Sequence, residues 1–416
     1  MNLTLTNIAF LGGIRPLETK VLRGAELAEF PTIENAFLHI QDGKIADFGP
    51  MSACPQDSQE YMDCTGRSVL PAFVDSHSHL VYAGTREQEF NLRLKGASYE
   101  EIAAAGGGIL NSAKKVAQTP EAEIVVQSTE RLTKLIAYGT GTLEVKSGYG
   151  LDAEGELKLL RSIKTLNAQS DATLVPTFLA AHALPAWAKD KGWSDDQYTR
   201  WMLEELMPTV AQEGLADFLD GFIERDYFRM ASLEALLEAS KTYNLPAKLH
   251  VNQFYDIGAI PRAVEAGALS VDHLEVMSED AFKALEGSNT IATLLPTCSY
   301  FLTIPYAPAR RLIDSGALVA LATDYNPGSS PTGSMQLVMN MACAKMRMTP
   351  AEALNAATLN GAAALQLSDS KGSITVGKDA DLLITRKIPS PEFIAYDFGT
   401  NHIQHTILGG VLQPAL

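Results

Sequence analysis

The chain is short of positive charge. Its 416 residues carry 33 Lys and Arg against 49 Asp and Glu, a formal net charge of −16. The basic residues are scattered, and such a surface repels nucleic-acid phosphates and anionic lipid headgroups alike. No nucleic acid and no membrane are expected as partners, and a small anionic substrate would need a dedicated Arg or Lys. No apolar run approaches the ~20 residues that span a bilayer. The opening Met-Asn-Leu-Thr-Leu-Thr-Asn lacks the basic start and apolar core of a signal peptide. Cysteine is also sparse: Cys54, Cys64, Cys298 and Cys343 form no Cys-x-x-Cys pair. That usage points to free thiols in a reducing compartment, hence to a cytoplasmic protein. No Gly-x-Gly-x-x-Gly follows a first strand, so a doubly wound dinucleotide-binding sheet has no support. Gly106-Gly107-Gly108 follows a helical run and reads as a flexible loop rather than a phosphate cradle.

What is present is ample core, with 46% hydrophobic and 20% charged residues. Both ends of the chain are rich in short strands and turns. Ala36–Ile40 and Lys44–Phe48 flank Gln41-Asp42-Gly43, a hairpin signal. Near the other end, Leu382–Thr385 and His402–Leu408 are punctuated by glycines. Neither end has enough residues for a core of its own, so residues 1–67 and 366–416 are expected to share one small β-sandwich. Between them, residues 68–365 alternate apolar strand-like runs with helical stretches. Eight candidate strands emerge: Val69–Asp75, Gly141–Lys146, Thr173–Leu179, Phe218–Ile223, Lys248–Asn252, Leu269–Asp272, Ile291–Leu295 and Leu318–Ala322. Helical periodicity fills the gaps at Glu121–Ala137, Glu154–Ala168, Met230–Thr242 and Ile260–Glu265. Eight such units over roughly 300 residues predict an α/β fold, a (β/α)8 TIM-like barrel with its active site at the strands' C-terminal ends.

Histidine is scarce too, yet five of the eight histidines fall at those strand ends. His77 and His79 follow the first strand, two apart and therefore on one side. His182 follows the third strand, His250 lies on the fifth, His273 ends the sixth, and Asp324 follows the eighth. His39, His402 and His405 lie in the terminal segments and are given no role. Three imidazoles and a carboxylate, His77, His79, His250 and Asp324, form a metal-ligand set suited to zinc and equally to iron or manganese. A bridged pair of ions would need an acid or a lysine from the fourth strand. That strand ends in Glu224 without a lysine, and Lys146 on the second strand is off position. One ion per chain is expected, with Glu224 the residue that would touch a second. A cation with an open position lowers the pKa of bound water toward ~7, supplying hydroxide at neutral pH. Asp324 then takes the proton and passes it to a leaving nitrogen, and His273 hydrogen-bonds the attacked oxygen or the hydroxide. A supporting role for His273 behind the ligands is the alternative.

Over nearly its full length the sequence resembles the imidazolonepropionases of the amidohydrolase superfamily. The resemblance is carried by Pro71-Ala-Phe-Val-Asp-Ser-His-Ser-His79, Thr85-Arg-Glu-Gln-Glu-Phe90, Ala104-Ala-Gly-Gly-Gly-Ile109, Glu144-Val-Lys-Ser-Gly-Tyr-Gly150 and Thr177-Phe-Leu-Ala-Ala-His-Ala183. It continues in Val271-Asp-His-Leu274, Tyr306-Ala-Pro-Ala-Arg310 and Ala322-Thr-Asp-Tyr-Asn-Pro-Gly-Ser-Ser-Pro331. His-x-His alone is common to the superfamily; the Lys-Ser-Gly-Tyr-Gly and Thr-Asp-Tyr-Asn-Pro-Gly-Ser-Ser-Pro segments are far more restrictive. The resemblance implies the third step of histidine degradation, in which 4-imidazolone-5-propanoate and water give N-formimidoyl-L-glutamate. It implies that Arg86 pairs with the substrate propionate. Tyr149, His182, Asn326, Gly328 and Ser329 become substrate contacts, and one zinc or iron ion is implied. A homodimer is expected, as is common for such barrels.

One position departs from the family pattern. Many relatives carry an acid three residues after the fifth-strand histidine, whereas this chain reads His250-Val-Asn-Gln253. An amide cannot act as a general acid or base, so Gln253 is expected only to hydrogen-bond the substrate ring, leaving proton transfer to Asp324 and His273. The alternatives are another cyclic amidase or a deaminase of the superfamily, and a barrel that has become a non-catalytic scaffold.

Overall fold

The computed structural model describes residues 2–56, 60–96 and 107–414. Gly106 of the glycine triplet, and with it Ala104–Gly106 of one matching segment, lies outside the described residues. Eight parallel strands run in chain order around a barrel: Phe73–Asp75, Thr140–Lys146, Thr173–Ala181, Phe218–Ile223, Lys248–Val251, Ser270–His273, Ile291–Leu294 and Leu318–Leu321. The ring joins up beyond the ends of its first and last strands. Asp324 N–H donates to His77 O at 3.0 Å, and His79 N–H donates to Tyr325 O at 2.9 Å. Beneath that seam, the buried Asp75 carboxylate accepts from the Thr323 amide at 3.0 Å and from its hydroxyl at 2.5 Å.

The expected helices are all present, with ends shifted by no more than a residue. Glu121–Ala137 is as predicted, and the others run Ala153–Ala168, Met230–Tyr243 and Ala259–Ala266. Their apolar stripes pack on the barrel's outer face and form one continuous core with it. The first strand is different. Val69–Asp75 reads as a single apolar run but forms two strands: Arg67–Pro71 lies in the other sheet, and only Phe73–Asp75 enters the barrel. Pro71 has no N–H to continue a ladder, and the chain changes partner there. Ala72 N–H donates to Asp381 O, and Phe73 N–H to Gly139 O, each at 2.9 Å.

The termini do share a sheet. Leu3–Gly12 pairs with Thr32–Gln41, which pairs with Lys44–Pro50. The two-residue Asp42-Gly43 turn has both φ angles positive, 50° and 78°, as a tight hairpin requires. Arg67–Pro71 joins the two ends of the chain, parallel to Leu3–Gly12 on one side and antiparallel to Leu382–Lys387 on the other. Ile403–Leu408 and Val411–Leu412 complete that flank. Leu5, Ile8, Leu38, Ile40, Ile384 and Ile407 fill a core separate from that of the barrel.

Candidate metal centre and substrate cavity

The His77-Ser-His79 backbone is clamped between its two neighbours in the ring, since Lys146 N–H also donates to Ser78 O at 2.9 Å. Both imidazoles are thereby turned inward. His79 Nε2 lies 3.3 Å from His250 Nε2, and Asp324 Oδ1 lies 3.6 Å from His77 Nε2 and 3.5 Å from His79 Nε2. His77 Nε2 is buried without a hydrogen-bond partner. Donor atoms bonded tetrahedrally at 2.0–2.1 Å stand about 3.3 Å apart, close to these three separations; ligand atoms of His77, His79 and Asp324 lie within 4.8 Å of one another, as do those of His77, His250 and His273. The residues present fit the ion.

Each of two ligand imidazoles is held from behind by a carboxylate. His77 Nδ1 meets Asp272 at 2.7 Å, and His250 Nδ1 meets Asp220 at 2.9 Å. Both carboxylates converge on the Lys146 ammonium, Asp220 at 2.8 Å and Asp272 at 3.9 Å, with Glu144 on its other side at 2.8 Å. All four side chains are fully buried. Burial, reinforced by Lys146, keeps His77 neutral and so able to ligate. Burial alone would raise Asp220, but His250 and Lys146 hold it below the usual carboxylate range. Burial likewise acts upward on Asp324, yet His79 and His273 hold it down at about 2. His273 Nδ1 stands 3.4 Å from Glu275. Although burial lowers its pKa, Glu275 with Asp324 and Asp272 raises it overall.

Above this floor opens a cavity of about 340 Å³, lined by His79, Arg86, Tyr149, His182, His250, Gln253, His273, Asp324, Asn326, Gly328 and Ser329, with Arg93. The sequence profile of the Amidohydrolase family matches residues 68–412. The chain is 49% identical to the imidazolonepropionase of Christiangramia forsetii over 99% of its own length and 100% of that protein. It is 50% identical to that of Flavobacterium johnsoniae, covering 98% of each chain. The chain belongs to the imidazolonepropionase family. Among solved structures, the guanine deaminase of E. coli superposes with a TM-score of 0.74 at 15% identity, covering all of both chains. A triazine hydrolase variant does so with a TM-score of 0.76 at 14% identity, covering 100% of this chain and 95% of that one. At such identity these two likenesses speak for the fold alone.

Every residue expected to contact substrate lies on the cavity wall, and the local reasons can be traced. The Lys-Ser-Gly-Tyr-Gly loop is pinned by Glu156, which accepts the N–H groups of Gly148, Gly150 and Leu151 at 2.7, 2.7 and 3.0 Å. A Cβ on Gly150 would collide with the Gly155–Glu156 backbone, so only glycine allows this approach. His182 Nδ1 meets Gly148 O at 2.8 Å, and its ring stacks on His79 at 5.4 Å. After the eighth strand, Asn326 organises a turn. Its Oδ1 accepts from the amides of Gly328 and Ser329 at 2.8 and 2.7 Å, and its Nδ2 donates to Asp324 O at 2.6 Å. Arg86 lies flat on Gly328, where any Cβ would strike the guanidinium, and its Nε and Nη2 donate to Glu89 at 2.8 and 2.6 Å.

Glu224 does not approach the ligand set; its carboxylate accepts from the amides of Phe254 and Tyr255 at 2.6–3.2 Å. Sequence reasoning missed the buried quartet of Glu144, Lys146, Asp220 and Asp272, and the partners Glu89, Glu156 and Glu275. The quartet had a signal. A charge inside a strand buried on both faces implies an inward partner.

Proposed function

We propose that the protein hydrolyses the ring amide of 4-imidazolone-5-propanoate, giving N-formimidoyl-L-glutamate in histidine degradation. One zinc or iron ion would be held by His77, His79, His250 and Asp324. The observation that supports this reading is the gathering of these donors, with His79 3.3 Å from His250 and Asp324 3.5–3.6 Å from His79 and His77, beneath a cavity whose wall presents Arg86. When bound, the ion lowers the pKa of a coordinated water toward ~7 and polarises a carbonyl.

The chain's own residues do the rest. Arg86, pre-aligned by Glu89 and Gly328, receives the propionate through charge-assisted hydrogen bonds, which a protein of this net charge needs. Tyr149, His182, Asn326, Gly328 and Ser329 fix the ring over the ligand set, and Gln253 hydrogen-bonds it without titrating. Asp324 takes a proton from the attacking water and returns it to the ring nitrogen as the C–N bond breaks. His273, with Glu275 behind it, donates to the carbonyl oxygen as charge builds there. The proposal extends to a cytoplasmic homodimer. All four cysteines are free, and among the described residues no helix is long and apolar enough to cross a membrane. Light scattering and cell fractionation would check both points.

Incubation with freshly made substrate, with and without a chelator, tests the main reading. The imidazolone absorbance should decay without ammonia release, stop on chelation and return with zinc or iron. Ammonia release from this substrate would favour a deaminase, and an unchanged rate in the metal-free protein would remove the ion from the reaction.

A further inference from the structure

Against the ligand set lies a second group of donors, of which the reaction uses only His273 and its partner Glu275; the Cys298 side chain is hydrogen-bonded to Asp324. One ligand atom each from His273, Glu275 and Cys298 lies within 4.8 Å of the other two, and all three residues are buried. The group is partly organised already. His273 Nδ1 faces Glu275 Oε1 at 3.4 Å, Ser299 Oγ donates to that same oxygen at 3.1 Å, and Gln253 Nε2 donates to Cys298 Sγ at 3.3 Å. Glu275 Oε2, in contrast, is buried with no hydrogen-bond partner. A carboxylate oxygen left bare in the interior is costly, and native structures keep few of them. Here it belongs to a carboxylate grouped with an imidazole and a thiol.

We propose that His273, Glu275 and Cys298 form a second cation site, selective for thiophilic divalent ions such as Zn²⁺ and Cd²⁺, whose occupancy inhibits the enzyme. One nitrogen, one oxygen and one sulfur donor suit those ions, and the sulfur disfavours Mg²⁺ and Ca²⁺. Donor separations around zinc are about 3.3–3.7 Å, so side-chain shifts of under about 1 Å close the group on an ion. Entry is through the substrate cavity, which His273 and Gln253 line. Binding displaces the Cys298 proton to solvent: thiol and M²⁺ give a metal thiolate carrying one positive charge, plus H⁺. No electron moves. An ion on His273 Nδ1 fixes the ring toward Glu275 and Cys298 and places a second positive charge beside the first site. This differs from the ligand set described above, which contains no sulfur.

The inhibitory half of the proposal rests on the role given to His273; the binding half does not. The test is a titration of the metal-loaded enzyme with CdCl2. One further equivalent should remain bound after desalting, with an ultraviolet sulfur-to-cadmium charge-transfer band and loss of turnover. In Cys298→Ser the band should vanish and the inhibition constant for Cd²⁺ should rise about tenfold or more, with turnover before cadmium retained. Glu275→Gln should bind cadmium more weakly while keeping the band. A band of equal size in Cys298→Ser would assign it to another thiol and overturn the site. So would replacement of the first ion with no extra equivalent and no band. A bound, thiolate-ligated ion with undiminished turnover would overturn the inhibition. The equivalents and the band need no substrate, so they are read separately from any failure to turn over 4-imidazolone-5-propanoate.

Discussion

Replacing Lys146 by methionine keeps the bulk of the side chain and removes a charge on which the metal centre is built. The ammonium sits 2.8 Å from both Glu144 and Asp220. At an effective dielectric of about 20, each contact is worth about 6 kcal/mol of gross attraction. Most of that repays desolvation. What a variant reports is the cost of stranding buried carboxylates, about 3–5 kcal/mol. A second effect is separable. Asp272 and Asp220 orient His77 and His250, and loss of such partners typically weakens metal binding 10–100-fold, about 1.4–2.7 kcal/mol. Urea unfolding of the metal-free protein reads the first effect, and competition with a chelator reads the second. The double variant Glu144→Gln/Lys146→Met removes one charge of each sign. It should regain part of the stability, yet hold metal no better than the single variant, since nothing then fixes the two aspartates. If Lys146→Met unfolds within about 1 kcal/mol of the parent and keeps its metal affinity, the buried network does not orient the ligands and the reasoning fails.

Arg86→Lys should raise KM by the equivalent of about 2–4 kcal/mol, because an ammonium cannot replace a planar fork; an unchanged KM with a collapsed kcat would assign Arg86 to the chemistry instead. Gly328→Ala should also raise KM while leaving metal content intact, since the new Cβ pushes the guanidinium off its seat; substrate affinity equal to the parent's would contradict that packing. Gln253→Glu should impair binding or leave the rate unimproved. A faster enzyme with a new acidic limb in its pH profile would move proton transfer away from Asp324 and His273. Asp195, against burial, is held below its usual pKa by the Arg229 side chain and amide. Its stabilising effect should therefore be complete above the unfolded value of ~3.9 and fade as pH falls through the lower folded value. Unfolding curves of Asp195→Asn and the parent should differ at pH 7 and converge in acid; a constant gap would show that charge is not what the site uses.

The gathering of histidines and Asp324 at one end of the barrel was legible because a polar residue at the end of an apolar run has few reasons to be there, and five histidines repeat that pattern. Helix ends were legible to a residue, since periodicity and caps agree; Asp152, for instance, accepts from Gly155 N–H at 2.7 Å at the head of its helix. The split at Pro71 was legible in principle, but apolarity was given more weight than the missing N–H. Arg86 and Glu89 stand three apart at the head of the helix Glu87–Leu94, a spacing that sequence reasoning passed over. Other features had no local signature. Gln253, just past the fifth strand, meets Cys298 in the helix Pro296–Leu302 that follows the seventh. His273 and Asp324 adopt φ angles of 90° and 51° as the chain leaves its strands, and side-chain pattern carries no information about such exits. Backbone of that kind persists only where its surroundings enforce it.

The seam of the barrel has a consequence for how the protein comes into being. Asp75 and Thr323, which join across it, are 248 residues apart in the chain. The chain is made from its N-terminus, so His77 and His79 emerge well before Asp324 and the strand Leu318–Leu321 that precedes it. On the proposed ligand set, the early histidines would be a weak two-donor site until the ring closes. Metal loading would then be a late event, its binding free energy accruing only to the closed barrel. A chelator present during refolding should leave early helix formation unaffected while reducing the yield of closed ring. Weakening Thr323 should raise the amount of metal needed for full recovery rather than the rate at which the first half of the chain collapses.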